Sequence, residues 1–426
     1  NYEMDIELDP VDMGTTINFV SKTPSYTRVF GMVTRGENEN PTVLDIGRVV
    51  NEWIPSTLDS LIASPQNQFI AMSGQASRYI YFFRTYNDGE KNLVQAWFNW
   101  EAPGTVQAIA ADSDEFFAVT KQGGQFTLSK ASLSQSPDDA IIVNNDGKKI
   151  NPCIDLYATA SSVTYDTAGN FSKCFIPYND ATNLTPVLII KGTTAQGNFI
   201  ESGFTMTPER VVESGNTYFK VPFKNLTSVA SDVIVGFKYD FDIILPKTYF
   251  KSDDNGTKSD FSANLTIARM KFAVGLSGIM GFKLKSKGVR QGKREHTGDG
   301  STTVFGWNPS EISYVDKEQI KVKVNNVVTT AFTVNSNTQL TMDSAPANGA
   351  TVLIYLDEWY NLNPVIKANQ YLANDIPLAD QTVFTLPIHQ KTENFTLRLF
   401  NDTPFPTALN SMMWEGLYSP RFYRRT

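Results

Sequence analysis

Residues 67–101 read NQFIAMSGQASRYIYFFRTYNDGEKNLVQAWFNWE, and residues 111–133 read ADSDEFFAVTKQGGQFTLSKASL. Short runs rich in aromatic and β-branched residues alternate here with turn residues, notably at 87–90 and 122–124. The runs predict successive antiparallel strands at 68–72, 78–86, 93–100, 106–111, 115–120 and 125–133. Strands of this length and spacing are typical of propeller blades or of a meander sheet.

The rest of the chain has the same β character. Helical periodicity is almost absent. Residues 49–62 are predicted to form one or two helical turns at most, and Pro55 interrupts them. Val233–Leu245 is predicted as a strand, and its start, VIVGF, is apolar enough to be buried on both faces. We therefore predict an all-β, multi-domain fold with propeller-like blades, a sandwich-like or barrel-like β domain and an inserted small β domain.

Composition shifts and turn signals predict the domain boundaries. Residues 134–150, SQSPDDAIIVNNDGKKI, have the composition of a linker. Ile320–Val324 alternates strictly between apolar and basic residues, as a half-buried strand does. The predicted organisation is a propeller-like β domain at 1–135 that continues from a missing N-terminal part, a linker at 136–150, a second β domain at 151–290, an inserted module at 297–357 and a return to the second domain at 358–426.

The bulk composition is that of a globular protein with an acidic balance. The chain has 426 residues, a net charge of -7 and 41% hydrophobic residues. The negative charge argues against a nucleic-acid coat or an anionic membrane surface as the main partner. A signal peptide and a long apolar run are both absent from the sequence, so we expect no membrane insertion. Cys153 and Cys174 are expected to be free thiols, although one local disulfide bridge is the alternative.

The residues that could carry chemistry have simpler structural explanations. His296 and His389 have no carboxylate or cysteine at metal-ligand spacing. Asp112, Asp114 and Glu115 could serve as paired carboxylates of a glycosidase, but β-turns favour aspartate at such places for backbone reasons. The sequence therefore predicts no catalytic residue, no metal, no cofactor and no enzymatic activity.

Trp97 and Trp100 flank Asn99 and lie on the same or on opposite faces of a strand, depending on whether a bulge intervenes. Core packing is the favoured role. A stacking platform for sugars or bases is less favoured, because the segment has few basic residues.

Three stretches carry a family resemblance. The first is residues 67–133, and the second is VIVGFKYDFDIILPKTYF at 233–250. The third is NDTPFPTALNSMMWEGLYSPRFYRR at 401–425, with two prolines, then Trp-Glu-Gly-x-Tyr, then an arginine cluster. In this order they resemble the tail tubular protein B family, the tail nozzle proteins of Autographivirus-type podophages. Residues 297–357 depart from that pattern and resemble the small N-terminal domain of podophage tail fibres.

The resemblance implies a structural protein of the phage virion, assembled in the host bacterial cytoplasm. It implies a homo-oligomer, by precedent a hexamer, below the adaptor ring of tail tubular protein A, with tail fibres attached near this boundary. It also implies transient, non-specific passage of viral DNA during ejection. Residues 151–290 and 358–426 would then form the distal nozzle domain.

Particular residues follow from this interpretation. The expected structural anchors are Trp97, Trp100, Trp414, Glu415, Gly416 and Tyr418. The candidates for subunit interfaces or for the DNA channel are Arg421, Arg424, Arg425, Asp253 and Asp254. Two other classes of function remain open at this point: a capsule-degrading tail enzyme and a secreted carbohydrate-binding β protein.

Overall fold

The computed structural model describes residues 8–22, 27–33, 40–75, 77–87, 92–133, 142–143, 149–178, 184–191, 203–251, 258–260, 263–286, 292–314, 317–362 and 382–419. Within these ranges the protein consists of β-strands joined by turns, with short 3-10 turns at 227–232, 317–319 and 392–394 and no α-helix. The predicted all-β, multi-domain class is confirmed. The chain divides into two compact units, one of residues 1–141 with 154–238 and one of residues 142–153 with 239–426. The five-part division stays a prediction.

The first unit begins with three antiparallel sheets that follow one another along the chain. Their strands are β1 Val11–Asp12, β2 Ile17–Lys22, β3 Thr27–Val33 and β4 Thr42–Asp45; β5 Ser60–Ser64, β6 Phe69–Ser73, β7 Tyr79–Asn87 and β8 Asn92–Glu101; and β9 Thr105–Asp112, β10 Glu115–Gln122 and β11 Gln125–Ser132. Each strand pairs with the next within its sheet. The six strands predicted between residues 68 and 133 are all present, with ends that differ by one or two residues.

The middle sheet is buried on both faces, because both sets of alternating side chains are apolar. Strand β7 directs Tyr81 and Phe83 into a core that includes Val20 and Val29 of the first sheet. Its other face, with Phe82, packs against β10 of the third sheet. Burying one such side chain contributes roughly 1.5–3 kcal/mol. The three sheets are therefore stacked layers with a separate core at each of the two boundaries.

The remaining strands of the first unit form two further sheets around one core. After the two-stranded ladder β12 Ile142–Val143 and β13 Lys149–Ile150 of the second unit, the strands are β14 Asp155–Thr159, β15 Ser162–Asp166, β16 Phe171–Phe175, β17 Pro186–Ile190, β18 Thr205–Met206, β19 Glu209–Glu213, β20 Asn216–Pro222 and β21 Val233–Phe237. The sheet orders are β14-β21-β17-β18 and β15-β16-β20-β19. All five residues of β21 are buried, as its apolar sequence predicts.

The second unit contains a larger sandwich and a smaller one. Its strands are β22 Phe241–Ile244, β23 Phe250–Lys251, β24 Ser259–Asp260, β25 Asn264–Val274, β26 Gly281–Ser286, β27 Lys293–Thr297, β28 Val304–Gly306, β29 Ile320–Val324, β30 Val327–Thr329, β31 Phe332–Ser336, β32 Gln339–Met342, β33 Thr351–Leu356, β34 Trp359–Asn361, β35 Thr382–Lys391, β36 Phe395–Asn401 and β37 Leu409–Ser419. In the larger sandwich, the sheets β22-β36-β26-β34 and β35-β25-β37 share a core that includes Phe272, Phe282 and Leu399.

The smaller sandwich lies between Gly292 and Leu356. Its sheets, β27-β33-β29-β30 and β28-β32-β31, enclose a core of their own that includes Val322, Leu340 and Ile354. The backbone N–H of Leu356 donates to the carbonyl oxygen of Gly292 at 3.0 Å, so the two ends of this segment are adjacent.

Candidate assembly surface

The inner face of β37 is bound to the core of the larger sandwich. Trp414 lies opposite Met270 of β25 and packs against the buried cluster of this core. Tyr418 stacks on Phe250 with ring centroids 3.9 Å apart, and its hydroxyl donates to Asp260 Oδ2 at 2.9 Å. Trp414 therefore contacts the core of the larger sandwich, whereas Tyr418 contacts the separate two-stranded sheet β23-β24. Their role as anchors stays a prediction.

The outer face of β37 carries an ion cluster at the centre of the strand. The Glu415 carboxylate pairs with Lys271 and Arg269 of β25. Hydrogen bonds from Lys271 and then Arg269 hold the pKa of Glu415 below its ordinary value. The carboxylate is therefore neutralised by its own sheet.

Gly416 is required by a close approach of two backbones. A Cβ at this position would lie 2.1 Å from the carbonyl oxygen of Thr266, which is closer than real Cβ contacts. The pairing of β25 with β37 shifts register between Ile267 and Arg269, next to this contact. The Trp-Glu-Gly-x-Tyr sequence thus combines a core residue, an ion pair, a steric requirement and a stacked tyrosine.

Trp97 and Trp100 lie on opposite faces of β8. The indole N–H of Trp97 donates to the carbonyl oxygen of Ile46 at 3.0 Å, and its ring lies 4.9 Å from that of Phe83. The Trp100 ring lies 4.4 Å from Phe82 and is 38% exposed. The two tryptophans therefore contribute to the two different boundaries of the stacked sheets. The other candidates, Arg421, Arg424, Arg425, Asp253 and Asp254, lie outside the described residues.

The acidic residues considered for catalysis lie at a hairpin turn. Asp112 pairs with Glu115 across the turn between β9 and β10, and Ser113 within it has a positive φ of 51°. Glu115 is bound by Lys130 Nζ at 2.7 Å. The preference of tight turns for aspartate therefore explains why these acidic residues lie close together.

The remaining candidates are separate from one another. His296 is half-buried with its ring 5.3 Å from Phe305, whereas His389 is exposed in β35. Cys153 and Cys174 are both free thiols, and burial raises the pKa of Cys174 to about 12.

Among the described residues, no group of three or more His, Cys, Asp or Glu is placed to hold a metal ion. In the same part of the chain, no helix has the length and apolar character needed to cross a bilayer.

A partly buried ionisable group lies at the start of β14, and no sequence pattern predicts it. Asp155 is largely removed from solvent, and this burial, with the nearby Glu101 carboxylate, raises its pKa to about 6 despite the opposing charge of Arg78. The hydroxyl of Tyr178 is also buried, and it has no hydrogen-bond partner within the described ranges. Burial and then the charge of Asp155 raise the pKa of this phenol. A single aspartate between apolar residues in the sequence gives no signal of this environment.

Comparison with known proteins identifies the family. The sequence matches the bacteriophage nozzle proteins over residues 1–349 and 348–425, which is nearly the whole chain. No curated protein matches it significantly. The match spans both compact units and includes the C-terminal strand with its Trp-Glu-Gly-x-Tyr sequence. The chain, a structural component of a phage tail, therefore belongs to the bacteriophage nozzle protein family.

Proposed function

We propose that copies of this chain form a ring-shaped conduit at the end of a short phage tail, by precedent a homohexamer, through which viral DNA leaves during infection. The family match along nearly the whole chain is the observation that carries this proposal. The architecture is consistent with a structural role, because both units are built from sheets packed around extensive cores. No enzymatic step is part of the proposed function.

The charge of the chain is suited to the passage of DNA. Duplex DNA carries about one negative charge per 1.7 Å of its axis, so a basic lining would bind and retard it. Cyclic symmetry turns the same surface of every copy toward the channel. With a net charge of -7 per chain, the lining that we propose is acidic or neutral, and Asp253 and Asp254 are candidates for it.

The proposed partners are the adaptor ring of tail tubular protein A and the tail fibres. The stacked sheets of β1–β11 would act as propeller-like blades. The module predicted at 297–357 is the part proposed to act near the fibres, since its sequence resembles a fibre domain. The arginines 421, 424 and 425 are proposed to lie at a subunit interface or in the channel.

Electron microscopy of the purified full chain, together with its mass in sedimentation experiments, tests this proposal. We expect ring-shaped particles with cyclic symmetry and a central opening, formed by the chain alone or on addition of the adaptor protein. A chain that stays monomeric under both conditions, or a channel lined mainly by lysine and arginine, would refute the conduit.

A further inference from the structure

The sheet β35-β25-β37 has two edge strands of similar length. β35 spans ten residues and β37 spans eleven, and within the described residues each pairs only with the central β25. An edge strand exposes unpaired backbone N–H and C=O groups that can pair with another chain. Natural proteins protect such edges with proline, charged side chains or bulges. The two edges can therefore be compared within one sheet.

The β35 edge carries these protective features. Pro387 lacks a backbone N–H and lies in the middle of the strand. His389 has a positive φ of 53° where the pairing with β25 shifts register. Lys391 adds an exposed charge at the end of the strand. This edge is therefore poorly suited to pairing with a further strand.

The β37 edge lacks the same features. Its sequence, LNSMMWEGLYS, contains no proline, lysine or arginine. Between residues 409 and 419, all of which are described, no residue has a positive φ. The one charged residue, Glu415, is neutralised by Lys271 and Arg269 of the adjacent strand. The pairing with β25 leaves Asn410 without a partner near the start of β37, whereas every residue from 411 to 419 is paired. The open side of residues 411–419 is therefore suited to pairing with a further strand.

The outer face of β37 is also apolar beside this open edge. Met413 is 50% exposed and Leu417 is 76% exposed, and they alternate with Glu415 along the strand. The opposite face is held by Trp414 in the core and by the stacking of Tyr418 on Phe250. The strand is thus fixed from the inside and presents backbone groups and apolar side chains outward.

Charge favours a second copy of the chain as the occupant of this edge. Each copy carries a net charge of -7, so two copies repel at long range. A contact between copies is therefore favoured at a surface where cationic side chains balance the carboxylates. Around β37, the carboxylates of Glu415 and Asp260 are matched in number by the cationic side chains of Lys271 and Arg269, so acid is not in excess there. We infer that the open edge of β37 accepts a β-strand from a second copy, which extends the sheet across the subunit boundary.

This inference rests on the proposed ring and assigns the strand through which its copies join. In a cyclic ring the interface is heterologous, so the neighbour contributes a strand other than its own β37. The main-chain hydrogen bonds of such pairing would satisfy the open edge, and Leu417 would become buried.

A pair of matched substitutions tests it. Leu417→Lys places a charge beside the open edge at a side chain that is 76% exposed, so the subunit itself should stay folded. Val383→Lys makes the same change on the protected edge of the same sheet, at a side chain that is 53% exposed. We expect the wild type and Val383→Lys to form rings and Leu417→Lys to lose them, with unchanged circular dichroism. Hydrogen exchange should show protection of the outward amides of β37 only after assembly.

Four outcomes would overturn the inference. Rings formed by Leu417→Lys as readily as by the wild type would do so while leaving the proposed function intact. Equal loss of rings in both variants would show that the two edges do not differ. Protection of the outward β37 amides in the dissociated subunit would show that a segment of the same chain already covers the edge. If the wild type itself never associates, the proposed function fails together with the inference.

Discussion

Replacing Asp155 by asparagine should make the protein more stable at neutral pH and leave its stability unchanged in acid. The pKa of Asp155 is raised from 3.8 to about 6, chiefly by burial and then by the nearby Glu101. Because the folded state binds this proton more tightly than the unfolded state, the contribution of Asp155 to stability is fully present below the unfolded pKa. That contribution is lost as the pH rises through about 6.

The magnitude follows from the size of the shift. One unit of pKa corresponds to about 1.4 kcal/mol, so a rise of about two units gives an upper bound of roughly 3 kcal/mol. Part of the Asp155 side chain still reaches solvent, which screens the interaction and reduces the expected effect to about 1–2 kcal/mol. Asparagine has the same shape but carries no charge, so the penalty disappears in the variant.

Urea unfolding between about pH 4 and about pH 8, followed by tryptophan fluorescence, measures the effect. The stability difference between Asp155→Asn and the wild type should be near zero at the acidic end and grow through about pH 6. Asp112→Asn, at an exposed turn, is the matched control and should show no such trend. A difference that is independent of pH, or a variant that is less stable at neutral pH, would refute the reasoning.

Four further predictions concern the second unit and the absence of catalysis. Trp414→Ala should destabilise the larger sandwich by about 3–5 kcal/mol and lower the yield of particles. Lys317→Ala, at an exposed position, should do neither. Equal particle yields from the two variants would contradict the anchoring role of Trp414. Gly416→Ala should cost about 1–3 kcal/mol in thermal or urea unfolding, because the new methyl group meets backbone at 2.1 Å; an unchanged midpoint would contradict the steric argument. Replacing residues 293–356 by a short Gly-Ser linker should leave ring assembly intact, and unfolding of the larger sandwich would show that the segment is not self-contained. Incubation with host capsule should release no reducing ends, and release that disappears in Asp112→Ala would reveal a catalytic carboxylate.

The sequence predicts most accurately those elements that local chemistry determines. Strands β6–β11 are recovered because alternation and Gly-containing turns specify them within a few residues. In contrast, Val233–Leu245, predicted as one strand, is two strands separated by residues 238–240. The first half, β21, is fully buried, whereas β22 contains Asp242 in an ion pair with Arg398 and is mostly exposed. The two halves join different sheets, and tertiary packing determines which sheet each half joins.

The candidate functional residues divide in the same way, into features that the local sequence predicts and features that depend on distant residues. The C-terminal motif could be selected from its resemblance to a family, but the reason for its glycine could not. Gly416 is required by Thr266, which is 150 residues earlier and comes close only in the folded sheet. Similarly, the raised pKa of Asp155 depends on burial in the folded state and then on Glu101 of β8, with Arg78, just before β7, acting in the opposite direction. Long-range contacts of this kind leave no local pattern in the sequence.

The geometry of the smaller sandwich also determines how it would respond to mechanical tension. Its two ends meet at the hydrogen bond between Gly292 and Leu356, at the start of β27 and the end of β33. A force that pulls these ends apart acts perpendicular to the β27–β33 ladder, so its hydrogen bonds are loaded and broken one after another. Shearing a ladder lengthwise would instead load all of its bonds together. When tension arrives through its two connections, this sandwich would therefore yield before a sheet that is pulled along its strands.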